Sequence, residues 1–146
     1  MEHMTRAVIK ESPNLIFHLG DHIRDAEELS ELFQTIPVHR VSGNCDYDPA
    51  AREVIVEECD GVRFLLTHGH RYGVKSGLLR LALAAREVCA QIAVFGHTHS
   101  PTHQTYDDII LLNPGSCGGS KPSYGVITVA NGRAQCCLKT FEDEGE

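Results

Sequence analysis

The sequence predicts one α/β domain in which a two-sheet β-sandwich lies between helices, in a four-layer αββα arrangement. The first part of the chain has an apolar run, an amphipathic stretch and a second apolar run, the order of a right-handed parallel crossover. The later part contains Asp60-Gly61 and Asn131-Gly132 between apolar runs, and these dipeptides are typical of antiparallel hairpin turns. A parallel first half followed by antiparallel hairpins favours a layered α/β architecture with the helices outside.

The spacing of apolar residues places the individual elements. A helix over 4–11 is expected to end before Pro13, because proline disfavours helical geometry in the residue that precedes it. The apolar runs 15–19 and 37–41 predict buried strands, and apolar residues three and four apart predict a helix over 24–35. The other expected elements are a helix at 76–89 and strands at 54–58, 62–66, 92–95, 104–107, 109–113, 124–130 and 133–139.

Composition and charge exclude several classes of protein. The 146 residues correspond to a single domain, and 13 Lys and Arg against 20 Asp and Glu give a net charge of −7. Strong nucleic-acid binding is not expected, because such a chain has no basic surface to displace counterions. The chain has neither a membrane span nor a secretory signal nor a Cys-x-x-Cys pair, so a reduced, cytoplasmic protein is expected. The acidic tail, 141–146, is expected to be a solvated end of the domain.

Four short polar clusters each follow an apolar strand. They are Gly20-Asp21, Gly43-Asn44-Cys45-Asp46, Thr67-His68-Gly69-His70 and Gly96-His97-Thr98-His99. In α/β sheets, ligands collect beyond the carboxyl ends of the strands, so four such ends would bring an Asp, an Asn and several His together. The glycine in each cluster lets the backbone turn sharply and approach a bound ion or phosphate.

The residue types in these clusters favour a site for divalent metal ions. Imidazole suits zinc, iron, nickel or manganese, and carboxylate and amide oxygens suit harder ions. Two ions about 3.5–4 Å apart, bridged by a carboxylate such as Asp21, would clamp the attacking and leaving oxygens of a phosphoryl transfer. Any one of these histidines alone is more often an ordinary polar residue than a ligand, but packing does not explain four clusters at strand ends. A structural zinc site is the weaker alternative, because such sites are typically rich in cysteine.

The four clusters, in this order, resemble the calcineurin-like metallophosphoesterase superfamily, and Asn113-Pro114-Gly115-Ser116 is a further match. The resemblance covers nearly the whole chain, and Cys45 and the small size make it most similar to the compact bacterial and archaeal phosphodiesterase branch. It implies a sandwich of two sheets flanked by helices, with two divalent metal ions at the strand ends. Manganese is the expected metal, and nickel, iron and zinc are the alternatives.

The resemblance also implies roles for individual residues. Asp21 would bridge the two ions. Asn44, His68 and His97 would complete the second metal site, and His99 would belong to the first. The residues expected to act on the substrate are Asn44, Cys45, Asp46 and His70. Most of the superfamily has a histidine where this chain has Cys45, and a neutral thiol is a weak donor, which implies an activated phosphodiester or proton delivery by water.

The chain departs from the family pattern at its N-terminus. Family members begin with a strand that ends in Asp-x-His, which supplies two ligands of the first metal site, and no such motif precedes Leu15. The first strand of the fold is therefore expected to be missing, and the first site would keep only Asp21 and His99. A misassigned or truncated start, a strand from another chain, and loss of catalysis are the open explanations. An unpaired strand edge would also favour a homo-oligomer.

The sequence therefore predicts a metal-dependent phosphodiesterase that hydrolyses a small phosphodiester substrate through a metal-bound hydroxide, impaired by the missing ligands of the first site. The alternative is a non-catalytic scaffold or binding module of the same fold, like the phosphoesterase-like subunit of retromer. The enzyme is favoured because the chain retains side chains suited to binding metal, which a scaffold has no physical need to keep. They are Asp21, Asn44, His68, His97 and His99.

Overall fold

The computed structural model describes residues 2–20, 23–43, 52–117 and 121–140. The elements in these ranges are α1 (Glu2–Glu11), β1 (Ile16–His18), α2 (Ile23–Leu32), β2 (Val38–Arg40), β3 (Val54–Cys59), β4 (Val62–Thr67), α3 (Leu79–Glu87), β5 (Ile92–Val94), β6 (Thr102–Tyr106), β7 (Ile109–Asn113), β8 (Ser123–Ala130) and β9 (Arg133–Thr140). Each expected helix and strand is therefore confirmed, whereas the acidic tail, 141–146, lies outside the described residues. Within the described ranges, no helix is long and apolar enough to cross a membrane.

The two longer predicted helices are shorter than the apolar spacing suggested. The residues that follow Leu32 form turns, so α2 ends earlier than the predicted 35. The α3 helix begins at Leu79 and not at 76, since Gly77 has a φ of +152°, which no helix accommodates. It ends before Cys89, whose φ of 59° is left-handed. Apolar spacing finds the packed face of a helix, but local backbone conformation sets its ends.

The larger sheet has the strand order β3-β4-β5-β7-β6 and mixes parallel and antiparallel pairs. The three central strands are parallel, with Phe64 opposite Ile92 and Ile92 opposite Ile110, while β3 and β6 pair antiparallel at the edges. The expectation that the second half is purely antiparallel is therefore wrong for β4, β5 and β7. Hairpin turns predict pairing between neighbours in sequence, but the β4–α3–β5 segment is a crossover to a parallel strand.

The parallel β1–β2 pair and the antiparallel β8–β9 hairpin pack on one face of this larger sheet. Phe17 of β1 contacts Phe64 of β4, with ring centroids 5.5 Å apart. Ile127 and Cys136 of the hairpin pack against the same cluster of buried residues as Phe17. The predicted β-sandwich is therefore confirmed.

Helices cover the outer faces of the sandwich. Leu81 and Ala85 of α3 are buried against the opposite face of the larger sheet, where they belong to the same cluster as Leu111. On the other side, Ala7 of α1 packs against Tyr124, which points away from the inner face of β8. These layers give the four-layer αββα arrangement that the sequence predicts.

A polar contact ties α1 to the β8–β9 hairpin. The Glu11 carboxylate accepts hydrogen bonds from Lys139 Nζ at 2.8 Å and from the Tyr124 hydroxyl at 2.7 Å. The bond from Lys139, followed by the bond from Tyr124, lowers the pKa of Glu11 below its ordinary value. These bonds attach α1 to the outer face of the β8–β9 hairpin.

Candidate metal centre and active site

Four strand ends meet around the His68 side chain. Gly20, just after β1, has a φ of +104°, and a Cβ built on it would lie 2.8 Å from the Gly43 nitrogen after β2 and 2.8 Å from His68 Nδ1 after β4. A Cβ on Gly96, after β5, would lie 3.6 Å from the same His68 atom. Gly20 therefore allows a close approach of backbone that a larger residue would block.

His68 and His97 contact each other directly at this point. Their ring centroids are 4.8 Å apart, and His68 Nε2 lies 3.0 Å from His97 Nδ1. His68 Nδ1 lies 2.9 Å from the carbonyl oxygen of Leu19, which can only accept, so Nδ1 carries the proton and Nε2 has the lone pair. His97 Nδ1 then donates to that lone pair. The bond from His68 Nδ1 to the Leu19 carbonyl is of the kind that metal-binding histidines usually make with the ring nitrogen that does not bind the metal.

His70 lies beside this pair on a short 3-10 turn, His70–Tyr72. Its ring centroid is 5.4 Å from that of His68 and 6.2 Å from that of His97. Gly69, with a φ of +109°, leads into the turn, and a Cβ there would lie 2.9 Å from the Val74 side chain. The second histidine of the Thr67-His68-Gly69-His70 cluster thus faces the same neighbourhood as the first.

The loop that carries His97 and His99 has an unusual backbone, held in place by Asn113. Both histidines have left-handed φ values, 70° and 60°, which residues other than glycine adopt at a cost. Asn113, fully buried, donates to the Gly96 carbonyl oxygen at 3.1 Å and to Thr98 Oγ1 at 2.9 Å. A strained conformation that the surroundings stabilise is typical of functional sites.

Asn113 and Glu53 were not assigned a role from the sequence. Asn113 is part of the Asn113-Pro114-Gly115-Ser116 match, but its clamp on the histidine loop depends on the pairing of β5 with β7. Glu53 lies 3.5 Å from His70 Nε2 and 3.1 Å from Arg71. The apolar run that precedes Asn113 is a sequence signal that could have identified it, whereas no sequence signal points to Glu53.

The spacing of His68 and His97 is compatible with two ligands of one divalent metal ion. Nitrogens bound to one ion at about 2.1 Å lie about 3.0–3.4 Å apart in octahedral or tetrahedral geometry, near the observed 3.0 Å between His68 and His97. Within 2–20, 23–43, 52–117 and 121–140, no group of three or more His, Cys, Asp or Glu side chains is arranged to hold an ion. The other expected ligands and substrate residues, Asp21, Asn44, Cys45 and Asp46, lie outside the described residues.

The family model of the calcineurin-like phosphoesterase superfamily domain matches residues 2–132. The chain belongs to this superfamily. It is 36% identical over 115 residues to a probable metallophosphoesterase of Methanocaldococcus jannaschii, covering 77% of the chain and 59% of that protein. It is 32% identical over 117 residues to the phosphodiesterase YfcE of Escherichia coli K12, covering 70% of the chain and 57% of YfcE. This phosphoesterase domain thus spans less than two thirds of either relative.

Solved structures show the same phosphoesterase fold. The crystal structure of a predicted phosphoesterase from Streptococcus pneumoniae superimposes with a TM-score of 0.76 at 25% identity, covering 94% of the chain and 80% of that protein. Vps29 of Entamoeba histolytica, complexed with Zn²⁺, superimposes with a TM-score of 0.70 at 21% identity, covering 88% and 82%. At 21% identity, this likeness is evidence for the fold alone.

Proposed function

We propose that this phosphoesterase is a metal-dependent phosphodiesterase that acts on small phosphodiesters. The name of the E. coli relative supports phosphodiester bonds as the substrate class. The observation that carries the proposal is the orientation of His68, whose Nδ1 proton is held by the Leu19 carbonyl so that Nε2 presents its lone pair beside His97. Metal-binding histidines usually have the second ring nitrogen held by an acceptor such as this carbonyl, so the orientation favours a ligand role for His68.

The ligand set expected from the sequence divides into two sites. Asp21, Asn44, His68 and His97 would hold one ion, and Asp21 and His99 would hold the other. Bound ions of this kind polarise the phosphate and lower the pKa of water. Manganese is the metal we propose first, because the histidines and the oxygen ligands together suit an ion of intermediate hardness.

The chain's own residues would bind and orient the ester. Asn44, Cys45, Asp46 and His70 are the residues that we assign to the substrate side. The amide of Asn44 can donate to a phosphate oxygen, and the Cys45 thiol is a weak donor. Leaving groups that need little protonation should therefore react fastest.

The test is hydrolysis of bis(p-nitrophenyl) phosphate with added Mn²⁺, together with the metal content of the purified protein. We expect His97→Ala to lower both, because it removes the imidazole that faces His68 Nε2. His103→Ala is the matched control, since His103 is exposed on β6. If His97→Ala retained the activity and the metal content of His103→Ala, the proposal would be wrong.

A scaffold function is the second candidate, and the structural likeness to Vps29 favours it. A scaffold predicts no hydrolysis of any phosphodiester at saturating Mn²⁺. The enzyme predicts Mn²⁺-dependent turnover that His97→Ala lowers. The two candidates are thus separated by the same assay.

A further inference from the structure

A cleft of about 370 Å³ lies between β6 and the segment that leads into α3. Gln104 of β6, which lines it, is opposite Leu111 of β7, and Leu111 packs with α3. Residues directly opposite each other share a face of the sheet, so the cleft is on the α3 side. Pockets for small molecules typically have volumes of about 300–1,000 Å³, so this cleft is large enough for a small ligand.

The cleft borders the two loops that carry the site histidines. Two buried residues of its lining, Val74 and Phe95, lie against Gly69, where a built Cβ would be 2.9 Å from the first and 3.6 Å from the second. Gly69 stands between two of the site histidines in the sequence, and Thr98, which also lines the cleft, stands between the other two. A substrate held at the histidines therefore has this cleft beside it.

The lining combines buried apolar side chains with uncharged hydrogen-bonding groups. The uncharged polar residues are Ser76, Thr98, Ser100, Thr102 and Gln104. Among the described residues, the charged group in the lining is Lys75, and no carboxylate is present there. Apolar surface with a few placed hydroxyl and amide groups suits a polyhydroxylated alcohol, whose C–H faces pack on the first and whose O–H groups bond to the second.

The Thr98 hydroxyl is restricted to donating a hydrogen bond to a ligand. Its oxygen accepts from Asn113 Nδ2 at 2.9 Å and from the Ser100 backbone N–H at 3.2 Å, which occupies both lone pairs. The Asn113 amide is fixed in this orientation, because its oxygen accepts from the Gly115 N–H at 2.9 Å and its nitrogen donates to the Gly96 carbonyl at 3.1 Å. The Thr98 proton is thus available to an oxygen atom in the cleft.

The Thr102 hydroxyl has the opposite restriction. It donates to the Ser100 carbonyl oxygen at 3.0 Å, so it offers lone pairs to a ligand. A donor at Thr98 and an acceptor at Thr102 match the hydroxyl groups of an alcohol, because each hydroxyl both donates and accepts. A fully ionised phosphate only accepts, so it fits this pair less well.

We propose that this cleft binds a polyhydroxylated ester group, such as glycerol or a pentose, of the phosphodiester whose phosphate lies at the histidines. The position of the phosphate rests on the proposed phosphodiesterase function. The preference for hydroxyl groups rests on the lining of the cleft. The cleft therefore selects among phosphodiesters by the alcohol that they carry.

The first measurement compares two substrates with Mn²⁺, glycerol 3-(p-nitrophenyl phosphate) and propyl p-nitrophenyl phosphate. Both release p-nitrophenol, so they differ only in the two hydroxyl groups of the ester that stays on the phosphate. We expect kcat/KM to be about tenfold higher for the glycerol ester, since each hydrogen bond gained contributes about two- to tenfold. A ratio near one would overturn the proposal.

The second measurement repeats this comparison in variants of β6. Gln104→Leu and Thr102→Val keep the side-chain size but remove hydrogen-bonding groups, so each should lower the glycerol-to-propyl ratio about threefold. His103→Ala is the matched control and should keep the wild-type ratio, because His103 lies between these two residues and alternate side chains of a strand face opposite sides. Equal ratios in all three variants would contradict the proposal.

Binding gives a readout that needs no turnover. Glycerol 3-phosphate and propyl phosphate are titrated separately into the protein equilibrated with Zn²⁺, and backbone amide chemical shifts are followed. We expect glycerol 3-phosphate to bind about tenfold more tightly and to shift the amides of 98–104. Equal binding of the two, lost in about 0.5 M NaCl, would indicate an exposed anion site at Lys75 and would overturn the proposal.

These measurements separate this inference from the proposed function. Tighter binding of glycerol 3-phosphate without hydrolysis of either ester would refute the phosphodiesterase and leave the cleft supported. Hydrolysis of both esters with equal kcat/KM, together with equal binding of the two phosphates, would refute the cleft and leave the phosphodiesterase standing.

Discussion

Replacement of Gly20 by alanine tests whether the strand ends are packed together as closely as the structure shows. The new Cβ would lie 2.8 Å from both the Gly43 nitrogen and His68 Nδ1. It would also force alanine to a φ of +104°, beyond the left-handed region that other residues occupy at about +50 to +70°. The His68 ring would have to move, and its bond to the Leu19 carbonyl would be lost.

The expected cost has two parts. Backbone strain of this kind costs about 1–3 kcal/mol, and forcing atoms into a packed site costs about a further 1–3 kcal/mol. The sum, about 2–6 kcal/mol, is a large share of the about 5–15 kcal/mol that stabilises a typical domain. The clash of the new Cβ with His68 should also lower metal binding, because it displaces the His68 ring.

The assay is urea denaturation of Gly20→Ala, combined with its metal content after equilibration with Mn²⁺. Gly77→Ala is the matched control, since Gly77 has a φ of +152° and no atom within 4 Å of its built Cβ. It isolates the strain, about 1–3 kcal/mol, and should leave metal binding unchanged. Equal destabilisation and equal metal content in the two variants would refute the convergence of the strand ends.

Three further predictions concern the supports of the fold and site. Asn113→Ala should lower the free energy of unfolding in urea by about 2–4 kcal/mol, because its loss leaves buried hydrogen-bonding groups unsatisfied; an effect under about 1 kcal/mol would contradict the clamp. Glu11→Gln should flatten the acid side of the curve of unfolding free energy against pH. The bond from Lys139 lowers the pKa of Glu11, so the stabilisation by the Glu11 carboxylate is fully present above the ordinary carboxyl pKa. That stabilisation is lost as the pH falls through the lowered pKa of Glu11 in the folded protein. An unchanged curve would show that the contact does not stabilise the fold. Burial raises the pKa of Cys117 to about 11, so iodoacetamide should modify it far more slowly than the exposed Cys137, and equal rates would contradict its burial.

The sequence predicts the fold well where structure is set by neighbouring residues. The helix before Pro13 and the hairpin turns at Asp60-Gly61 and Asn131-Gly132 are local features, and each is found where expected. The parallel pairing of β5 with both β4 and β7 is not local. A short apolar run such as Ile92–Val94 is equally compatible with either direction of pairing, and only the packing of the whole sheet decides.

As with the fold, the sequence predicts those parts of the site that depend on neighbouring residues. Glycine and histidine after apolar strands identified His68, His70 and His97, whose rings the structure brings together. Side chains that act through tertiary contact were not predictable. Asn113 reaches the histidine loop from a strand 15 residues further along the chain from Thr98, and Glu53 reaches His70 across a hairpin. The assigned metal and substrate roles all stay predictions, those of His68, His70, His97 and His99 as well as those of Asp21, Asn44, Cys45 and Asp46.

Histidine nitrogen chemical shifts during a Zn²⁺ titration test the central claim most directly, because zinc is diamagnetic and reports each imidazole separately. The account predicts that His68 Nε2 and His97 Nδ1 shift together at the first equivalent of zinc, while His68 Nδ1 keeps its proton and its bond to Leu19. His103, exposed on β6, should not respond. If all histidines shifted alike, or if His68 and His97 did not shift, the strand ends would not form a metal centre.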